Sequence, residues 1–309
     1  MSQDILSAFI SPVVLAGTIR IAAPLIIGAI GGCFTNKAGT FIIAYECLML
    51  TAAFFATWGS YITGNPFFGS LIAIASSVLM SITFGILVFH LNANALIVSI
   101  ALNFGAWAIT TQLLSSIFGV RGSFISADII SYNSLNFSFL NNNSFLNDVF
   151  NNKIGLVYFS YIYIFIGYFI MYKTPFGLRL RGIGINPSAA QTAGVNFKKY
   201  KWLTLIIMSA SCGLAGSYIP LSGVSMFTEN MTSGRGFLCL AAVLVAEGNP
   251  IMAGLIALLF AYTDALFLTL TSFELPTQLL SCIPYVAVIF VLIIAEIKKK
   301  NGSIDISVK

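Results

Sequence analysis

Nine apolar runs, each cut off by glycine, proline or charge, fill most of the chain: 18–35, 41–61, 67–90, 95–117, 154–172, 202–222, 236–248, 250–271 and 277–297. Most are close to the ~20 residues a helix needs to cross a bilayer. The pattern therefore predicts an all-α polytopic membrane protein, a helical bundle of about 8–10 transmembrane helices. The run 236–248 is too short to cross comfortably and reads as a broken or partly re-entrant helix. Ahead of the first run, residues 1–17 are apolar but interrupted by Pro12, which reads as an interfacial segment. Asp4 is the only charge before Arg20, and no basic start or small-residue cleavage site marks a removed signal peptide.

The polar segments divide the runs into two halves, 18–117 and 153–309, joined by a loop over 118–152. That loop carries eight Asn between Asn133 and Asn152 and only Arg121, Asp128 and Asp148 as charges. It lacks a basic excess, so it belongs on the extracytoplasmic side. The opposite holds for the segment 173–201, where Lys173, Arg179, Arg181, Lys198, Lys199 and Lys201 are six of the chain's 15 Lys and Arg, with no Asp or Glu among them. Basic residues next to spans stay cytoplasmic, and so this island faces inward. Four crossings after Lys201 return the C-terminus to the cytoplasm, where Lys298, Lys299, Lys300 and Lys309 fall. Counting backwards puts the N-terminus outside.

Composition agrees. Hydrophobic residues make up 58% of the chain and charged residues 8%, with a mean hydropathy of +0.94, far from the ~25% charge of soluble domains. The net charge of +5 sits in the cytoplasmic segments and reports topology, not nucleic-acid binding. Cys33, Cys47, Cys212, Cys239 and Cys282 all lie in apolar runs without metal-ligand spacing, as soft packing residues do.

Five polar or ionisable positions stand inside or at the edge of apolar runs: Glu46, Asn103, Arg235, Glu247 and Asp264. Such groups usually face a bundle interior or a water-filled path. They read either as members of a translocation pathway or as hydrogen-bonded packing groups, and Arg235 equally as an anchor at the outer edge. His90, the only histidine, ends a span beside Asn92 and Asn94 and reads as a solvated loop residue. With no linked titratable relay, an ATPase-independent secondary transporter is the remoter alternative. No Walker A loop, GxSxG or HExxH motif supports an enzyme. Gly213 and Gly216, following Ser209, have the small-residue character of a tight helix crossing.

Within the basic island, Thr174-Pro-Phe-Gly-Leu-Arg-Leu-Arg-Gly-Ile-Gly-Ile-Asn-Pro-Ser-Ala-Ala-Gln-Thr-Ala-Gly194 resembles the cytoplasmic coupling segment of ABC importer inner-membrane permeases. The branch is the one holding ribose, branched-chain amino acid and nucleoside permeases. The match falls at Thr174, Phe176, Gly177, Arg181, Gly184, Asn186, Ala189, Ala190 and Gly194, with Pro187 opening a short helix of small residues. Gly39, Ile43, Glu46, Met49 and Leu50 resemble the nucleoside-type segment S-G-x-x-N-I-G-x-E-G-x-M-L, although Ile42, Ala44 and Cys47 replace its Asn, Gly and Gly. Asn94 to Asn103 is similar to N-E-V-I-x-x-L-M-L-N. Gly234-Arg-Gly-Phe-Leu-Cys-Leu-Ala-Ala242 is similar to G-R-G-F-I-A-L-A-A, with Asn249-Pro250 following.

The resemblance implies a multi-pass permease of a bacterial inner membrane, translocating a small polar solute, nucleosides first and ribose-type sugars or branched-chain amino acids as the alternative. It implies no cofactor of its own, because ATP is bound by a separate ATPase subunit that docks on the 173–201 segment. The implied partners are that ATPase, a second permease subunit (a distinct homologue or an identical copy), and an extracytoplasmic substrate-binding protein or lipoprotein. Glu46, Asn103, Arg235 and Asp264 are the candidate pathway residues.

Overall fold

The computed structural model describes residues 11–137 and 144–271, together with 286, 289, 293 and 297. The first element is helix α1 (Pro12–Lys37), opened by Ser11, whose hydroxyl accepts from the Val14 N–H at 3.3 Å. Pro12, read from sequence as an interruption, is instead its first residue. A proline there has the right φ and lacks only an N–H that no helix would use. At 26 residues, α1 is ~39 Å long, enough to cross the ~30 Å hydrocarbon core.

Residues 38–44 are not helical, and α2 (Tyr45–Thr63) begins only after them. Gly64 closes α2 with a left-handed turn, and Asn65 caps α3 (Pro66–Gly85), which runs into a π turn at Ile86–His90. Asn94 caps α4 (Ala95–Phe118). The loop between α4 and the next long helix contains β1 (Ser123–Ile125), β2 (Ser134–Leu135), α5 (Ser144–Phe150) and β3 (Lys153–Ile154), with β2 and β3 paired antiparallel. The second half follows as α6 (Gly155–Lys173), α7 (Pro175–Ile185), α8 (Pro187–Thr192), α9 (Phe197–Leu221), β4 (Met226–Thr228), α10 (Arg235–Val245) and α11 (Pro250–Leu270).

Among the described residues, six helices are long and apolar enough to cross a membrane: α1, α3 with its π turn, α4, α6, α9 and α11. Helix α2 is the most enclosed of the rest, with 14 of its 19 residues buried. The run 277–297 and the lysines beyond it lie almost wholly outside the described residues.

Helix α1 forms the bundle's axis, buried continuously from Ala22 to Thr35; α6, α9, α10 and α11 gather around it, and α2 reaches it through the Tyr45 side chain at Gly32. Small residues set how closely they approach. Gly216 of α9 lies so near the Met49 carbonyl of α2 that any side chain there would collide with backbone. Gly213 and Ser209 meet α3 instead, at the Ile74 backbone and the Ser77 hydroxyl, so the small residues inferred from sequence serve two close helix crossings. Cys33, Cys47, Cys212 and Cys239 are all buried within this core.

Helix α10 has 11 residues, or ~16 Å, about half the depth of the hydrocarbon core. It does not cross alone. The stretch before it contains β4, which pairs with β1 of the loop after α4, Phe124 opposite Phe227. Cys239 donates its thiol to the Leu25 carbonyl midway along α1, and the turn at Gly248 lies against Asn36 and Lys37 at the end of α1. Loop and short helix together thus carry the chain from one end of the bundle to the other.

Candidate functional site

Two groups of residues depart from simple packing. The first is the basic elbow between α6 and α9. The Thr174 hydroxyl accepts from the Gly177 N–H at 3.3 Å and donates to the Ile170 carbonyl at 2.6 Å, so the chain turns sharply out of α6 and restarts as α7. On its inner face, Leu180 and Ile183 are fully buried and Phe176 stacks on Tyr200 of α9, 5.5 Å between centroids. Gly177 and Gly184 approach backbone directly, Gly177 at Met171 and Gly184 at the Lys37 carbonyl, where a side chain could not fit. The Arg181 guanidinium lies 4.9 Å above the Tyr172 ring, a cation–π contact within the chain.

Beyond this anchored half the elbow turns outward. Asn186 accepts from the Ala189 N–H at 3.1 Å and starts α8, in which no residue is buried. Gly194, at φ +79°, ends the turn in the left-handed region. The ten sequence-predicted residues therefore separate by role. Thr174, Phe176, Gly177, Arg181 and Gly184 fix the elbow to the bundle, Asn186, Pro187 and Gly194 shape it, and Ala189 with half-buried Ala190 forms its presented surface.

Sequence reasoning missed Leu178 and Ile185, which are 65% and 86% exposed on the outward face of α7. Their seven-residue spacing, opposite Leu180 and Ile183, was the available signal.

The second group lies inside the bundle. The Glu46 carboxylate, 7% exposed, accepts from the Gly234 N–H at 2.9 Å, the Gly236 N–H at 2.8 Å and the Thr232 hydroxyl. It caps the N-terminus of α10, where free amides and the helix dipole both favour a negative charge. Across from it, Asn103 of α4 accepts from the Cys47 N–H at 2.9 Å and donates to the Ile43 carbonyl at 3.2 Å. Ser99, one turn earlier, accepts from the Ile43 N–H at 3.1 Å. These side chains supply the partners that the irregular backbone before α2 cannot find in itself. Non-helical backbone inside a membrane protein is stable only when satisfied in this way. Thr232 and Ser99 carried no signal in the sequence, since isolated hydroxyls are common in apolar runs.

Glu46 and Asn103 also border one cavity of about 630 Å³, together with Phe104, Trp107, Asn230 and Phe237. Arg235 and Asp264 belong elsewhere, forming an ion pair at 3.8 Å between α10 and α11. The four candidate pathway residues are thus two pairs and not one constellation. Glu247 sits in the turn after α10 at φ +49°. His90 is exposed at the end of the π turn, its ring 5.9 Å from that of Trp202.

Comparison with known proteins gives a consistent result. The family described as "Branched-chain amino acid transport system / permease component" matches residues 14–294. The chain is 28% identical to the Guanosine ABC transporter permease protein NupQ of Bacillus subtilis, over 94% of this chain and 95% of that protein. It is 29% identical to the Nucleoside ABC transporter permease protein NupC of Lactococcus lactis, over 91% of each. A third relative, the Putative glucose ABC transporter permease protein TsgC13 of Haloferax volcanii, is 24% identical over 93% of this chain and 92% of its own length. No solved structure matches the chain.

Proposed function

Because the chain belongs to the branched-chain amino acid transport permease family, we propose that it carries nucleosides inward through a membrane as one permease subunit of an ATP-driven importer. Two relatives that align over more than nine-tenths of the chain are named for guanosine or nucleosides, and this likeness carries the cargo assignment. The cavity beside Glu46 suits such a solute. Phe104, Trp107 and Phe237 offer flat faces to a base, and Asn103 and Asn230 offer amides to polar edges.

In this reading the chain does no bond chemistry. ATP is hydrolysed by a separate ATPase subunit that docks on α8 and on the outward face of α7 at Leu178 and Ile185. The anchored half of the elbow, with Gly184 against Lys37, transmits its movement to α1. The two access states then differ in free energy through this contact. A second permease subunit completes the path, an extracytoplasmic binding protein delivers cargo at the outer loop, and the C-terminus lies in the cytoplasm.

The family description and the glucose relative favour branched-chain amino acids or sugars as the second reading. Uptake of labelled guanosine, ribose and leucine, by cells expressing the chain with its partner subunits, separates the two. Guanosine uptake that excess adenosine blocks and ribose and leucine do not is the expected result. Uptake of ribose or leucine alone overturns the nucleoside assignment.

A further inference from the structure

A cavity of about 490 Å³ opens at the end of the bundle that the basic residues mark as cytoplasmic. It lies between the non-helical stretch after α1, the π turn that ends α3, and the first turns of α9. Lys198, Lys201 and His90 line it with the rings of Phe89, Phe197 and Trp202, and among the described residues no carboxylate borders it. Lys201 stands 5.9 Å over the Phe197 ring, and Trp202 is pressed against Gly85.

Two independent features show that the place is built and not merely left open. Thr40 borders the cavity at 8% exposure, and its buried hydroxyl has no hydrogen-bond partner. Buried hydroxyls are rarely left so unless another molecule completes them. The π turn at Ile86–His90, followed by Asn92 at φ +53°, is a locally unfavourable backbone of the kind concentrated at functional sites.

We propose that this cavity binds the phosphate group of an anionic phospholipid from the cytoplasmic leaflet. Paired lysines supply the charge, Thr40 the neutral donor, and the aromatic rings the setting typical of a membrane–water interface. Phe41, Val88 and Ala95 add an apolar stretch of wall beside Asn92, as an acyl chain requires and a free phosphate does not. The headgroup would join the first turn of α9, directly after the elbow, to the backbone that leads into α2 and Glu46. This binding rests on membrane embedding and on the inward orientation of the basic residues, and not on the cargo or the motor assigned above.

Native mass spectrometry of the purified full chain, with phosphatidylglycerol or phosphatidylcholine added in defined amounts, tests it. The wild type should retain one phosphatidylglycerol in preference to phosphatidylcholine. Removing two lysines' attraction should lower that retention about thirtyfold in Lys198→Gln/Lys201→Gln, while Lys153→Gln on the outer loop keeps it. Thr40→Val, which deletes only the orphan hydroxyl, should weaken retention without lowering the melting temperature, and covers the case in which the double variant does not fold. Equal retention of both lipids, or retention unchanged in the double variant and in Thr40→Val, overturns the proposal. Displacement of the lipid by an equal concentration of inorganic phosphate overturns it in favour of a small soluble anion.

Discussion

Glu46→Gln separates two meanings of a buried acid in this bundle. The carboxylate holds Gly234 N–H and Thr232 through one oxygen and Gly236 N–H through the other. An amide keeps one acceptor but turns its NH₂ group toward a second donor, Gly236 N–H in the native arrangement. That loses one charge-assisted hydrogen bond, about 1.5–3 kcal/mol. It also removes the negative charge at the α10 N-terminus, about 0.3–1 kcal/mol. The sum is roughly 2–4 kcal/mol, a fall in melting temperature on the order of 5 °C for a chain of this size. The assay is thermal unfolding of purified wild type and variant in the same detergent, followed by circular dichroism, with uptake measured well below both transitions. An unchanged melting temperature would refute the capping argument, and lost uptake at unchanged stability would place Glu46 in the solute's path instead.

Three further substitutions probe other contacts. Asn103→Leu strands the Cys47 N–H and the Ile43 carbonyl, at about 1–3 kcal/mol each, and should lower the detergent melting temperature at least as much as Glu46→Gln. Gly216→Val should prevent assembly of α9 against α2, read as loss of folded monomer in size-exclusion chromatography, because the Met49 carbonyl occupies the space its side chain needs. Ala189→Arg/Ala190→Arg should abolish uptake and leave membrane insertion and melting temperature unchanged, since α8 has no buried residue to disturb; normal uptake would remove α8 from the proposed docking surface.

Much of this architecture is legible in the chain because membrane helices announce themselves by length and apolarity. The runs at 67–90, 95–117, 154–172, 202–222 and 250–271 match helices α3, α4, α6, α9 and α11 to within a few residues. Pro12 was misread because one proline reads alike as a break and as a helix start, and only the Ser11 cap decides. The short run at 236–248 was recognisable as incomplete, yet the loop that completes its passage is irregular backbone without a periodic signature. At the elbow, the basic residues, the Asn186-Pro187 helix start and the Gly194 stop stand out by type, and its other members were named by the resemblance to a coupling segment. Glu46 and Asn103 stood out as polar residues in apolar surroundings. What they hold did not, because Thr232 and Gly236 lie 186 and 190 residues from Glu46 along the chain, and no local pattern encodes such a pairing. The separation of Arg235 and Asp264 from Glu46 is likewise a matter of which way side chains point.

In the proposed transport cycle, solute moves only when a separate ATPase drives this bundle through its elbow. Proteoliposomes containing the permease subunits and binding protein, with or without the ATPase subunit and with ATP supplied on its side, test it directly. Guanosine should accumulate against its gradient only when the ATPase and hydrolysable ATP are both present. Accumulation against a gradient in vesicles lacking the ATPase would contradict the account.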